Sequence, residues 1–201
     1  MTNGAAAGTI GRSTLPWTAP VPLPSLHTPR LLLQPLQLAD AEQIQPLFGQ
    51  WEVVRYLNAQ VPWPYPADGA LGYLRDVALP AMAAGQEWHW TLRPMAEPER
   101  VIGVVSLMDT PGNNRGFWIA PGWQRQGLMS EACMAVNRYW FEVLQRPLME
   151  VPKALANIAS QRLSEREGMR LVATGESDYV CGRLPSQTWA LSREEWLDQQ
   201  T

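Results

Sequence analysis

The spacing of apolar and polar residues changes period repeatedly along the chain, and each change predicts an element. Residues 30–36 read as a strand, and residues 39–49 as a helix whose first turn carries Asp40 and Glu42, where acids complement the helix dipole. Pro62, Trp63, Pro64, Tyr65 and Pro66 make residues 58–66 a loop, and residues 67–84 suit a second helix. Glu87-Trp-His-Trp-Thr-Leu-Arg93 alternates like a half-buried strand, while residues 101–108 form an apolar run broken only by Gly103 and Ser106, as in a strand buried on both faces. Pro111-Gly112-Asn113-Asn114 predicts a hairpin turn into a strand over 115–120. After a loop, Met129, Cys133, Val136, Trp140 and Leu144 recur at helical spacing, giving a helix of about 17 residues. Residues 148–155 read as a strand although Pro152 sits inside it, which confines Pro152 to an edge or a break in pairing. Residues 158–167 make a helix capped by Gly168, residues 169–181 and 187–191 a hairpin, and residues 193–198 a helical turn with Trp196. The order is β-α-α-β-β-β-α-β-α-β-β, an α/β arrangement. No internal repeat is visible.

The first 26 residues differ: Pro16, Pro20, Pro22 and Pro24 mark a Pro-rich extension with little core-forming content. It is expected to be disordered or to wrap the domain as a strap anchored by Leu15, Trp17, Val21 and Leu23. Residues 27–201 then form a single domain, a length sufficient for a real core. A net charge of −3 with no Lys/Arg run argues against a nucleic-acid partner, and no stretch is long and apolar enough to span a bilayer. The N-terminus has neither the basic start nor the apolar core of a secretory signal, so the cytoplasm is the expected compartment. Cys133 and Cys181 give no disulfide framework, and Cys133 lies on the apolar stripe of its helix. His27 and His89 are the only histidines, so no metal site is expected. Lys153 is the only lysine.

The stretch Gly122-Trp-Gln-Arg-Gln-Gly-Leu-Met-Ser-Glu-Ala132 lies between a predicted strand and a predicted helix. Backbone N–H groups there lack intrahelical partners, and a glycine lets a phosphate approach closely. From this segment alone, an ordinary turn carrying a glycine reads equally well. The stretch resembles the acyl-CoA pyrophosphate loop of the GNAT superfamily of N-acetyltransferases, Gln/Arg-x-x-Gly-x-Gly/Ala. Gln124 and Gly127 match, and Glu131-Ala132 matches a pair that often follows; Met129 stands where a small residue is expected. Further segments resemble the ribosomal-protein N-terminal acetyltransferase (Rim-type) branch in the family's order. They are Thr28 to Leu36 with Asp40-Ala-Glu42, Glu52 to Leu57, Gly116 to Ile119, and Asn157-Ile-Ala-Ser-Gln-Arg-Leu163 with Gly168-Met169. The resemblance implies a mixed sheet whose fourth and fifth strands splay apart to admit the cofactor arm, a gap in which Pro152 is tolerable.

The resemblance also implies acetyl-CoA as acyl donor. The pyrophosphate would rest on the N–H groups around Gln126, Gly127, Leu128 and Met129, with Ser130 as a hydroxyl contact. Arg125 either pairs with a phosphate or is a solvated surface arginine. A backbone N–H on the fourth strand, Ile119 or a neighbour, would polarise the thioester. Asn157, followed by Ser160 and Arg162, matches the asparagine that contacts the cofactor arm; it also suits an N-cap, and both roles can hold at once. Ser164 occupies the place of the tyrosine that serves many relatives as general acid, and Asn114 the place of a glutamate found in some Rim-type members. Asp109, Glu52 and His89 are the remaining candidates for a base, each with a plain structural reading beside the catalytic one: turn residue, surface acid, satisfied sheet residue. Trp51, Tyr56, Trp63 and Tyr65, with Trp88 and His89 on the second strand, are candidates for an aromatic acceptor pocket; of Trp88 and Trp90 at most one is expected to face it. The function implied is acetyl transfer to a primary amine, of a small molecule or a protein N-terminus, by direct attack in a ternary complex, in a monomer or homodimer. The alternatives are a catalytically weak acyl-CoA-binding or regulatory domain, and O- or longer-chain acyl transfer.

Overall fold

The computed structural model describes residues 22–200, and in it the alternating segments become two antiparallel sheets that part along one seam. The larger sheet runs β1 (Leu26–His27), β2 (Leu31–Pro35), β3 (Glu87–Pro94), β4 (Gly103–Met108) and β5 (Arg115–Ile119) in spatial order. The smaller holds β6 (Leu148–Ala154), β7 (Arg170–Tyr179) and β8 (Gly182–Ser192), with β8 in the middle. The helices are α1 (Ala41–Phe48), α2 (Trp51–Val54), α3 (Gly69–Tyr73), α4 (Leu79–Ala83), α5 (Leu128–Arg138), α6 (Ile158–Arg166) and α7 (Arg193–Asp198). A π-helical turn joins α3 to α4, and another extends α5 through Val143.

Every strand pairing within each sheet is antiparallel. Two expectations of extent need correction. The short β1 extends the sheet beyond the predicted first strand. The last strand starts at Gly182 rather than 187, because Tyr179 pairs with Gly182 across a two-residue turn. Its first residues are largely exposed, so no apolar alternation marked them. Of the proposed N-terminal anchors, Leu15, Trp17 and Val21 lie outside the described residues; Leu23 packs on the core, and Pro24 accepts a hydrogen bond from Trp90 Nε1 at 2.8 Å.

The two faces of the larger sheet carry two cores. Leu31, Leu33, Trp90, Leu92, Val105 and Leu107 meet Ala132, Cys133, Val136 and Trp140 of α5 and its extension. On the other face, Val104 and Trp118 meet Ile44, Ala70, Leu74 and Ala78 of the α1–α4 layer. Burying such side chains contributes roughly 1.5–3 kcal/mol each, which holds the helices against the sheet.

The seam is set by backbone direction. Met108 N–H donates to Asn114 O and Ala120 N–H to Ile102 O, so residues 116 and 118 between them turn their N–H and C=O toward β4. Arg115, Phe117 and Ile119 therefore turn theirs away, toward β6. The strands meet at one end only, where Asn114 N–H donates to Glu150 O and Glu150 N–H donates to Asn114 Oδ1, both at 2.8 Å. Beyond that point β6 pairs with β8 alone. Glu150 O points at β5, so Pro152, two residues on, turns its missing donor to the same side. A proline costs nothing on an edge without a ladder, which is why this strand carries one.

Candidate active site

The loop before α5 is shaped by two left-handed residues, Arg125 (φ 62°) and Gly127 (φ 77°). Gln124 Nε2 donates to Ile119 O at 3.1 Å, tying the loop to the end of β5, and Gln126 Nε2 donates to Gly122 O at 3.1 Å. The first helical donor is Glu131 N–H, to Gly127 O at 3.1 Å. Among the described residues the N–H groups of residues 125–130 have no acceptor, so six donors are left at the positive end of a helix. Met129 packs against the core rather than into the loop, so a long side chain is accommodated there while its N–H stays available.

Arg30 holds this loop from outside. Its Nη1 donates to Gln126 O at 2.9 Å and its Nε to Glu131 Oε2 at 2.7 Å. Thr28 Oγ1 and Arg30 N–H donate to the other carboxylate oxygen at 2.5 and 2.8 Å. Burial alone would raise the Glu131 pKa; the bonds from Thr28 and Arg30 outweigh it and hold the carboxyl below its ordinary value. Thr28-Pro-Arg30 and Glu131 were read in the sequence as separate segments, and the fold joins them into one clamp. A cavity of about 360 Å³ beside it is walled by Arg30, Met95, Trp123 and Gln126 and takes no residue from β6 or α6.

Across the seam, Asn157 caps α6, its Oδ1 accepting from Ser160 N–H at 3.2 Å. Ser160 Oγ accepts from Lys153 Nζ at 3.0 Å, while Arg162 and Arg125 lie exposed. Ser164 is wholly buried and its hydroxyl has no partner. A leaving thiol in the seam cannot meet Ser164 without a shift of α6, so its candidacy as the acid is set aside. Asp109 is exposed at the tied end of the seam and pairs with Arg146 at 2.7 Å; Glu52 is exposed in the first turn of α2. The structure does not bring the three together. Asn114 bridges β5 and β6 and also donates through Nδ2 to Met108 O and Thr110 O, so it serves as a tie between the sheets.

His89 faces the α1–α4 layer, and both its ring nitrogens are engaged, Nε2 with Glu87 Oε2 at 2.6 Å and Nδ1 with Ser106 Oγ at 2.7 Å. Trp88 is corrected: two residues from Trp90, it shares that face, and it packs on Trp140 while Trp90 packs on Tyr139. Neither reaches the α1–α2 region. There Trp51 and Trp63 form an exposed pair 5.1 Å apart, Tyr56 lies under Arg55, and Tyr65 packs on Phe48, which in turn meets Trp118 of β5. Burial, with a smaller contribution from Tyr73, pushes the Tyr65 phenol up to about 12. The segment after α2 is bonded to the β7–β8 hairpin through Ala59 N–H to Asp178 O and Val180 N–H to Leu57 O.

A buried polar cluster at the foot of the seam was not foreseen. Arg115 of β5 is bidentate to Glu167 at 2.7 and 3.0 Å, and its Nη1 also donates to Asn137 Oδ1 at 2.5 Å. Arg115 and Glu167 side chains are 0% and 1% exposed.

Comparison with known proteins agrees with this architecture. Residues 30–170 match the acetyltransferase (GNAT) domain family. No curated protein matches the chain by sequence. Among solved structures, the chain is similar to the ribosomal L7/L12 alpha-N-protein acetyltransferase RimL in complex with coenzyme A, with TM-score 0.71, 14% identity, and 86% of this chain and 99% of that one covered. It is similar to the ribosomal-protein-S5-alanine acetyltransferase of Vibrio fischeri, with TM-score 0.72, 13% identity and coverage of 86% and 98%. A GNAT-family acetyltransferase of Bacillus anthracis gives TM-score 0.70, 16% identity and coverage of 85% and 99%. At these identities the likenesses speak to the fold.

Proposed function

The chain belongs to the acetyltransferase (GNAT) domain family, and from that premise we propose that it moves an acetyl group from acetyl-CoA to a primary amine by direct attack in a ternary complex. The observation that carries the reading is one continuous surface: six unpartnered N–H donors at the start of α5 lead onto the free edge of β5. The loop offers donors to phosphates, and Arg125 adds an exposed cation. Phe117 offers its N–H and C=O, and Ile119 its N–H, to an extended amide-bearing arm, as an added strand would use them, while the Ile119 C=O is held by Gln124. The Ile119 N–H, or that of Phe117, is free to donate to a thioester carbonyl oxygen and polarise it. When bound, acetyl-CoA supplies the activated acetyl group; the protein supplies position and polarity.

The acceptor enters from the α1–α4 side, where Trp51 and Trp63 offer ring faces to a cationic or apolar amine. Structural likeness to RimL and to the S5-alanine enzyme favours a protein N-terminal amine within the class, alongside small amines. The domain is taken as residues 27–201, working in the cytoplasm as a monomer or homodimer. Among the described residues no helix is long and apolar enough to cross a membrane. A second reading, an acyl-CoA-binding domain with weak catalysis, draws support from the sealed Ser164 hydroxyl and the structural role of Asn114.

Calorimetry with acetyl-CoA, desulfo-CoA and an unrelated nucleotide tests the cofactor reading, followed by thiol release across peptide N-termini and aromatic amines. Binding with turnover supports the enzyme; binding without turnover across the panel supports the second reading. No binding to any CoA species removes both.

A further inference from the structure

The chain carries fifteen arginines and one lysine, and that lysine is buried at the seam. Arginine does not release its proton in proteins, whereas lysine shifts readily when desolvated. Lys153 sits on β6 at the parity of Met149 and Val151, which enter the main core, so its side chain points under α5 and α6. Nζ donates to Ser160 Oγ at 3.0 Å and lies 5.5 Å from the centre of the Phe117 ring. Phe117 is the residue on the free edge of β5 one step beyond Ile119 from the loop, so Nζ lies against the ring of a residue that an arm following that edge would pass.

The groups that face Lys153 are Arg115 from β5, Cys133 from α5, Ser160 from α6 and Glu167 just after it. Arg115 and Lys153 against Glu167 leave one positive charge in excess when all three are ionised. A buried site with surplus positive charge favours an incoming anion. Burial pushes the Lys153 ammonium down to about 7; Arg115 pushes the same way, and Glu167 and Cys133 oppose it. Both protonation states are therefore available near neutrality.

We propose that Lys153 Nζ is the proton donor to the sulfur that leaves when the thioester is cleaved, the task the buried Ser164 cannot perform. The amine nitrogen bonds to the acetyl carbonyl carbon, and the C–S bond breaks with its electron pair on sulfur. Lys153 Nζ–H gives that sulfur its proton, and the proton lost by the acylated nitrogen returns through water to Nζ. The proposal rests on the reading of the seam as the cofactor cleft.

Because the chain has a single lysine, lysine-selective labelling gives one side-chain signal, and its NMR titration reads Lys153 directly. The measurement is made on the free protein, with CoA, and with desulfo-CoA, while calorimetry reports whether each binds. The expected result is that CoA raises the Lys153 midpoint by about one pH unit or more, through the neighbouring thiolate, and desulfo-CoA does not. CoA that binds without moving the midpoint overturns the proposal and leaves the cofactor reading intact. Failure of CoA to bind overturns the cleft and the proposal together. Lys153→Met and Lys153→Arg are both expected to lower kcat on the order of a hundredfold while the affinity for desulfo-CoA changes little. Wild-type kcat falls as pH rises through the Lys153 midpoint, and neither variant keeps that limb. Full rescue by Lys153→Arg, which holds the charge but does not release the proton, overturns the proton-transfer role.

Discussion

Replacing Glu167 by glutamine isolates the buried cluster. The substitution keeps the shape and removes one charge, leaving Arg115 fully desolvated opposite an amide. At a contact near 3–4 Å and an effective dielectric of about 20, the lost attraction is about 4 kcal/mol. Breaking one partner of a buried pair elsewhere costs about 3–5 kcal/mol, so two routes to the magnitude agree. A domain of this size has on the order of 5–15 kcal/mol in total, and each kcal/mol moves Tm by about 2–4 °C. Glu167→Gln is therefore expected to lower Tm by about 12 °C. Lys153 adds a signature. With Glu167 gone, nothing anionic balances Arg115 and the ammonium, so the loss is larger at pH 6, where Lys153 is charged, than at pH 9, where it is neutral. Thermal and urea unfolding at the two pH values read this directly. The double change Arg115→Met with Glu167→Leu removes both charges and is expected to recover most of the loss. A loss under about 1 kcal/mol that moderate salt abolishes would refute the reasoning, since it would describe an exposed pair.

Other consequences follow from the same geometry. Gly127→Asp places a Cβ 3.4 Å from Arg30 Nη2 at a positive φ and an anion beside the free donors; CoA affinity by calorimetry is expected to fall at least tenfold, with stability lower by about 1–2 kcal/mol. Lys153, with a folded pKa near 7 against 10.5 unfolded, makes the unfolded chain bind more protons between those values. Stability therefore rises from pH 7 toward 10, by at most about 1.4 kcal/mol per unit, and Lys153→Met flattens the rise in pH-dependent urea unfolding. Arg30→Ala frees Glu131 and the Gln126 carbonyl together; CoA binding is expected to weaken severalfold more than the stability loss explains, and equal effects would make the clamp purely structural. Trp63→Ala is expected to raise KM for amine several-fold with KM for acetyl-CoA unchanged, measured by steady-state kinetics.

The elements were legible because core packing writes period into sequence: the alternation of Glu87 to Arg93 and the helical stripe of Met129, Cys133, Val136 and Trp140 are the two sides of one core seen edge-on. The loop at Gln124–Gly127 was legible because only a few residue types serve a backbone that turns left-handed before a helix. The fold class followed, down to the proline on an unpaired edge. Pairings at long range were not legible. Arg115 lay in a predicted apolar strand and Glu167 near a helix end, 52 positions apart, and charged residues so placed read as solvated. Ser164 was chosen by its spacing from Asn157, but spacing along α6 fixes a direction and not a depth, and this direction leads inward.

The same residues explain why the foot of the seam is polar at all. An apolar filling of Arg115, Asn137, Lys153 and Glu167 would bind the layers at least as well, because buried ion pairs rarely out-compete well-packed hydrophobic groups. What an apolar filling does not provide is a proton reservoir or a positive field beside the edge of β5 that faces the seam. Arginine holds the field there through its pairing with Glu167 and the Asn137 amide, and only lysine, placed next to that fixed charge and away from water, gains a proton affinity that changes hands near neutrality. On that argument the arginine and the lysine are not interchangeable: Arg115→Lys would leave two adjustable amines and no fixed field, and is expected to weaken folding and to raise, rather than lower, the proton affinity remaining at Lys153. Lysine titration in that variant, with its two signals assigned by comparison with the parent, would decide it: a Lys153 midpoint unchanged from the parent would mean that Arg115 sets no part of the field.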